Sequence, residues 1–176
     1  MGKYLTLVSL LILSAYGFAV IREWHIAEGY QIRFDGKYAH GSFQKMEGKI
    51  RFDPSQPEQS RFEVSVDVAS IDTGIELKNK HARSDKWFDA EKYPRIHFLS
   101  TSVSRTDTGF VVHGELELKG IKREIAIPFA FRSEGDRHLF YGKFKVNRGD
   151  FGIGKVNGKE SDSTAVEVAV PVLALE

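Results

Sequence analysis

The sequence has no cysteine, and only 2 Met, 2 Trp and 5 Pro in 176 residues. Without cysteine there is no disulfide scaffold, no thiolate metal site, no Cys nucleophile and no lipid-modified Cys of a bacterial lipoprotein. Charge of one sign is lacking too: 25 Lys and Arg stand against 24 Asp and Glu, a formal net charge of +1. That balance speaks against a dominant electrostatic role on nucleic acid or a membrane surface. What is present is 41% hydrophobic, 28% charged and 12% aromatic residues, with 13 Phe and 16 Gly. This mix is too apolar for disorder and too evenly charged for a multispanning membrane protein.

The first nineteen residues follow a different rule. Met1 to Tyr4 carry one Lys and the free amine, and Leu5 to Ala15 are an unbroken apolar and small-residue run. Gly17-Phe18-Ala19 then offers small residues at the two positions a signal peptidase reads. The apolar stretch continues through Val20 and Ile21, so a retained anchor is the competing reading, near the lower limit of about 17 residues for a spanning helix. We expect a signal peptide over residues 1–19, cleavage after Ala19, and one domain over residues 20–176.

Past Ile21 the apolar residues recur with period two, the mark of a strand with one buried face. Phe62, Val64, Val66 and Val68 alternate with Arg61, Glu63, Ser65 and Asp67. Similar series run through Phe110 to Leu118, Ile125 to Phe131, Phe140 to Val146 and Val166 to Val172, with weaker ones at Trp24 to Phe34, Phe43 to Phe52 and Ile96 to Val103. The count is eight strands. Asp53-Pro54-Ser55, Asp107-Thr108-Gly109 and Ser133-Glu134-Gly135-Asp136 supply turn chemistry between them, and short links mean antiparallel neighbours. The exception is Thr73 to Pro94, long and charged, where Ile75 to Ala82 has room for two helical turns before Trp87-Phe88.

Eight such strands must hide their apolar faces. Closure into a barrel removes the exposed face and the free edges together, whereas a two-sheet sandwich hides the face alone. An eight-stranded barrel is either filled by side chains or wide enough for one small ligand. Gly114 and Gly142 fall at inward phase, where a missing side chain leaves room, or where a strand bends or bulges.

Ser70-Ile71-Asp72-Thr73-Gly74 and the stretch from His81 to Phe98, with its Ser84-Asp85-Lys86-Trp87-Phe88-Asp89, resemble the YceI-like family. So do Gly41-Ser42-Phe43 with Gly48 to Pro54, Gly114 to Ile121, and Arg148-Gly149-Asp150-Phe151-Gly152-Ile153-Gly154. The matches run in family order from about Trp24 to the C-terminus. The chain differs from the family pattern at Ala27 to Tyr30, and at Asn79, Lys80 and Ala82, the last standing where the family has Leu.

The resemblance implies a secreted, lipocalin-like antiparallel barrel whose apolar lumen holds a polyisoprenoid lipid, such as a prenyl diphosphate or an isoprenoid quinone. The expected fold is therefore all-β: an eight-stranded lipocalin-like barrel with a short helix or long loop near residues 73–94. Inward phase makes Phe43, Phe98, Val112, Leu116, Phe129, Phe144 and Val168 the candidates for the lumen, and Trp87 and Phe88 the candidates for capping one mouth; each also reads as ordinary core. A lumen of about 300–1,000 Å³, at about 24 cal/mol per Å³, costs roughly 7 to 24 kcal/mol when nothing fills it. Typical stability is about 5–15 kcal/mol, so the protein is expected to carry lipid or to collapse its lumen.

Lys78, Lys80, Arg83, Lys86, Lys92 and Arg95 lie near that mouth in sequence, but Asp85, Asp89 and Glu91 interleave with them. A solvated mixed-charge surface is the simpler reading. Arg148 is expected to bond turn backbone or to pair with Asp150. The six His make no i,i+4 pair or carboxylate cluster of the kind zinc needs, so no metal is expected. No G-x-S-x-G elbow, Walker loop or dinucleotide fingerprint is present. The function expected is a non-enzymatic periplasmic carrier of an amphiphilic polyisoprenoid, without cofactor. Its partner is the lipid, with no nucleic acid and no stable membrane insertion after cleavage, and a homodimer stays open. The alternatives are a hydrolase or isomerase acting on a lipid in the same pocket, and an all-β interaction module with a solid core.

Overall fold

The computed structural model describes residues 21–37, 40–154 and 162–175; the expected leader lies outside them. The period-two runs become strands, and the first three become strands with a break. The first expected strand is β1 (Glu23–Ile26) and β2 (Gln31–Gly36), and the second is β3 (His40–Phe43) and β4 (Met46–Arg51). The third is β5 (Arg61–Asp67) and β6 (Ile71–Asp72), separated by one 3₁₀ turn. Five unbroken strands follow: β7 (Arg95–Thr106), β8 (Gly109–Leu118), β9 (Ile121–Glu134), β10 (Arg137–Asn147) and β11 (Ser163–Ala174). Each pairs antiparallel with its neighbour, and β1 meets both β4 and β11. The ring closes, so the chain forms an eight-strand antiparallel barrel and not a sandwich.

The three breaks sit side by side, and hydroxyl groups bridge them. The Tyr30 hydroxyl accepts from the Met46 amide (2.8 Å) and donates to the Gln44 carbonyl (3.2 Å). Ser70 Oγ accepts from the amides of Gln44 and Lys45, each at 3.1 Å, and donates to the Asp67 carbonyl at 2.6 Å. Below this line the barrel is complete. Above it, β11 pairs with β2, β2 with β3 and β3 with β6. There β6 ends the ladder.

The helix forms at that unfinished edge. It is α1 (Glu76–Arg83), one residue later than the pattern predicts. Its buried Asn79 accepts from the Thr73 amide (2.8 Å) and the Thr73 hydroxyl (2.7 Å), which ties the helix to the end of β6. Arg83 pairs with Glu76 at 2.5 Å, two helical turns apart. The following turns return the chain so that the Val68 amide donates to Pro94 O at 2.9 Å, beside the start of β7.

Below the line of breaks the core is aromatic. Phe52 is fully buried and touches five phenyl rings, those of Phe62, Phe110, Phe129, Phe131 and Phe140, at 5.0–6.1 Å between centroids. Most of these contacts are edge-to-face, the arrangement the ring quadrupole favours. Trp24 completes the cluster, packing on Phe131 and Phe140 and donating its indole N–H to Phe52 O at 2.9 Å. On the outer wall Lys143 and Glu167 pair across β10 and β11 at 2.8 Å. The hydrogen bond holds Glu167 below its ordinary carboxylate value and lifts Lys143 above its own. The Asp53 carboxyl is likewise lowered, by the Ser55 hydroxyl and then its amide, at 2.6 and 2.7 Å.

Candidate functional site

Above the aromatic cluster the barrel is hollow. A cavity of about 650 Å³ runs from the helix end down to three rings, Phe62, Phe129 and Phe140. Its walls are the inward residues of the strands: Ile32, Phe34 and Phe43 on the early strands, Val64, Val66, Ile96 and Phe98 on β5 and β7, and Val112, Leu116 and Ile127 beyond. Phe144, Val146, Val166, Val168 and Val170 close the circle on β10 and β11. β-Branched and aromatic side chains suit both the pleat and an apolar lumen, so one composition serves fold and site together.

Trp87 and Phe88 roof this space. Phe88 meets Phe43 edge-on at 5.9 Å between centroids, and its amide donates to Ala82 O at 3.0 Å. Trp87 packs on His81 at 5.8 Å and lies against the Arg148 guanidinium at 5.7 Å. Arg148 is buried; it donates to Ile153 O at 2.7 Å and pairs with the fully buried Asp162 at 2.5 Å. Its carboxylate partner is therefore Asp162 and not the expected Asp150, because the turn that carries Asp150 leaves the guanidinium facing the start of β11. Gly154 lies so close that an added Cβ would meet Trp87 at 3.2 Å and Arg148 Nη1 at 2.9 Å. The roof is thus packed on a buried ion pair, which is costly to break singly.

All nine residues singled out from the sequence border this one space: Phe43, Trp87, Phe88, Phe98, Val112, Leu116, Phe129, Phe144 and Val168. Val64, Val66, Val146, Val166 and Val170 were not named there, although the same alternation marks them. Lys37, Thr73, Leu77, Lys78 and His81 also border the cavity, from loop and helix positions that no period identifies, and Thr164 does so at the start of β11. Ala82, the residue that replaces the family's Leu, also borders the cavity. Gly142 does as well, but a Cβ there would stand 3.0 Å from Pro128 O and 3.3 Å from a Val168 methyl, so this glycine admits the close approach of its neighbouring strands. Gly114 does not. A Cβ there would stand 2.4 Å from Leu99 O, beside the irregularity between Ser100 and Ser102 in β7, so this glycine admits a bulged neighbour.

The polarity of the site is one-sided. Among the described residues, the ionisable side chains bordering the cavity are Lys37, Lys78, His81, Tyr141 and Arg148, and none is an Asp or Glu. Tyr141 turns its ring outward, against Arg132 and Lys143. Leu77 is 78% exposed at the rim and Ile75 beside it 49%. No group of three His, Asp or Glu able to hold a metal occurs among the described residues, nor is any helix there long and apolar enough to cross a membrane. Such a space has the chemistry to sequester a hydrocarbon and to meet a polar or anionic group at its rim.

The model of the YceI-like domain matches residues 24–174. A UPF0312 protein of Photorhabdus laumondii is 32% identical over 112 residues, which is 63% of this chain and 58% of that protein's length. Among solved structures, Burkholderia cenocepacia BcnA superposes with a TM-score of 0.76 at 24% identity, covering 81% of this chain and 95% of its own. A polyisoprenoid binding domain from Saccharophagus degradans superposes with a TM-score of 0.63 at 14% identity, covering 89% and 100%. With strand order, lumen and sequence in agreement over residues 24–174, the chain belongs to the YceI-like family.

Proposed function

We propose that this protein binds a polyisoprenoid lipid, tail in the cavity and head group at the rim, and carries it in the periplasm after export. The observation that carries this reading is the lumen itself: about 650 Å³, walled by Phe, Val, Ile and Leu, with Lys37, Lys78 and His81 on its border. Each buried CH₂ contributes about 0.8 kcal/mol, so a five-carbon unit brings roughly 3 to 4 kcal/mol before ordering costs. A branched hydrocarbon has no hydrogen-bonding groups, so the wall needs none. Lys78 on the lining favours an anionic head such as a diphosphate over a neutral quinone. The polyisoprenoid-binding domain of the same fold supports the choice of ligand class. The reading is of binding without turnover, since the tail presents no group for the lining to act upon.

Mass analysis of an organic extract of the protein from its native host tests this reading. An isoprenoid near one per chain is expected; well-folded protein carrying no lipid of any kind refutes the carrier. Export with removal of residues 1–19 predicts a mature N-terminus at Val20, which N-terminal sequencing reads directly.

A further inference from the structure

The start of α1 carries apolar groups that the fold does not use. Leu77 borders the cavity, yet at 78% it is the most exposed large apolar side chain among the described residues. Ile75, two residues earlier, is also exposed. The helix buries Asn79 against Thr73, which turns Leu77 to the opposite side, away from β6. Lys80 and His81, one turn beyond Leu77, flank it and are exposed, as is Lys78. Glu76, the one acid in the helix, pairs with Arg83. Asp85, Asp89 and Glu91, which interleave with the lysines in sequence, do not border the cavity. A single exposed Leu means little, but here exposed apolar groups continue an apolar lumen into solvent beside two lysines.

We infer that this lip docks on the head-group layer of an anionic bilayer, with Leu77 and Ile75 inserted and Lys78 and Lys80 on the lipid phosphates. The inference rests on the lipid-binding reading above. A tail moving between a bilayer and the lumen is spared water only where mouth and membrane touch. Each CH₂ exposed on the way lowers the chance of transfer about fourfold. Lysines complement lipid phosphates, whereas a second copy of the lip would set lysine against lysine. The chain as a whole is nearly neutral, at +1, so the attraction is local and the docking reversible.

Sedimentation of the mature protein with vesicles of phosphatidylcholine, alone or in equal mixture with phosphatidylglycerol, tests the lip. Binding should be about twentyfold tighter to the anionic vesicles, two lysines at about fivefold each. Ile75→Ser and Lys80→Glu, at positions that do not border the cavity, should together weaken it about tenfold or more. The chain has no cysteine, so Leu77→Cys accepts one polarity-sensitive dye, which should shift to the blue on anionic vesicles. The same dye at Asp107→Cys, on the β7–β8 turn at the other end of the barrel, should not shift. A shift at both positions, a shift at neither, or equal binding to the two vesicle types overturns the docking. So does a shift at Leu77→Cys that follows protein concentration without vesicles, which assigns the lip to a second copy. An isoprenoid in the native extract with no docking overturns this inference and leaves the carrier intact; docking with a lipid-free extract does the reverse.

Discussion

The two halves of this barrel are built from the same alternating strands, yet one is solid and the other hollow. Below the line of breaks, rings meet across the axis around Phe52. Toward the line and beyond it, valines dominate the same inward phase, at Val64 and Val66 on β5 and at Val166 and Val168 on β11. Phenyl groups reach the middle of an eight-stranded cylinder, and isopropyl groups fall short of it. Rings that meet across the axis therefore make a core, whereas Phe34, Phe43, Phe98 and Phe144, set among valines, border a container. The interlocked rings occupy one half, and the cavity the other.

The largest effect expected from breaking this contrast is on the solid half. Phe52→Ala should cost about 3–5 kcal/mol, read as a lower midpoint in urea unfolding, with much of the binding capacity retained in whatever remains folded. Phe144→Ala, facing the cavity, should cost about 1 kcal/mol, since its removal enlarges a space already present. Equal costs at the two positions would erase the distinction between the halves. Asp162→Ala, which strands Arg148 in a buried setting under the roof, should cost about 3 kcal/mol. The loss should appear as earlier proteolysis of residues 73–94, because Trp87 rests on that guanidinium.

Filling the hollow half sharpens the contrast from the other side. Phe144→Trp should lower affinity for a prenyl diphosphate about a hundredfold, a 2.7 kcal/mol change, while leaving the melting temperature within a few degrees. A strongly destabilised Phe144→Trp protein that still binds normally would mean the upper half is packed as well. The smallest effect is that of pH. Asp53 and Glu167 are held below their ordinary values of 3.8 and 4.5, so both stabilise the folded state above those values. Their contribution is lost as pH falls through the lower values they have in the folded protein. Both groups are exposed, so the urea midpoint should decline only slightly below pH 4, and Asp53→Asn should flatten part of that decline.

Much of this arrangement was legible from residue types. Alternation placed the inward residues, turn chemistry at Asp53 and Asp107 placed the links, and the long charged stretch after Thr73 placed the helix. Three features were not legible, each because it depends on contacts between distant segments. The breaks at Ala27 to Tyr30, Gln44 to Lys45 and Val68 to Ser70 are bridged by the hydroxyls of Tyr30 and Ser70, whose partners lie on other strands. The partner of Arg148 depends on how β11 begins, which no local rule for Asp150 anticipates. Alternation assigns a Phe to the inside but does not say whether it meets another ring there or borders a void, so Phe62 and Phe140 stayed indistinguishable from wall residues.

The line of interrupted strands has a mechanical consequence. Where β1, β3 and β5 give way to β2, β4 and β6, the regular ladder is replaced by hydroxyl-centred bonds and isolated amide bonds, from Gln44 to Ser70 O, Asp67 to Lys45 O and Ala27 to Pro171 O. A panel joined in this way is held by a regular ladder along β11 and elsewhere by those few bonds, whereas β7 to β10 are laddered on both sides. The panel carries Phe43 and adjoins α1, so it forms the doorway side of the chamber. The least-laddered stretch of wall therefore borders the chamber, while the rings around Phe52 lie in the fully laddered part.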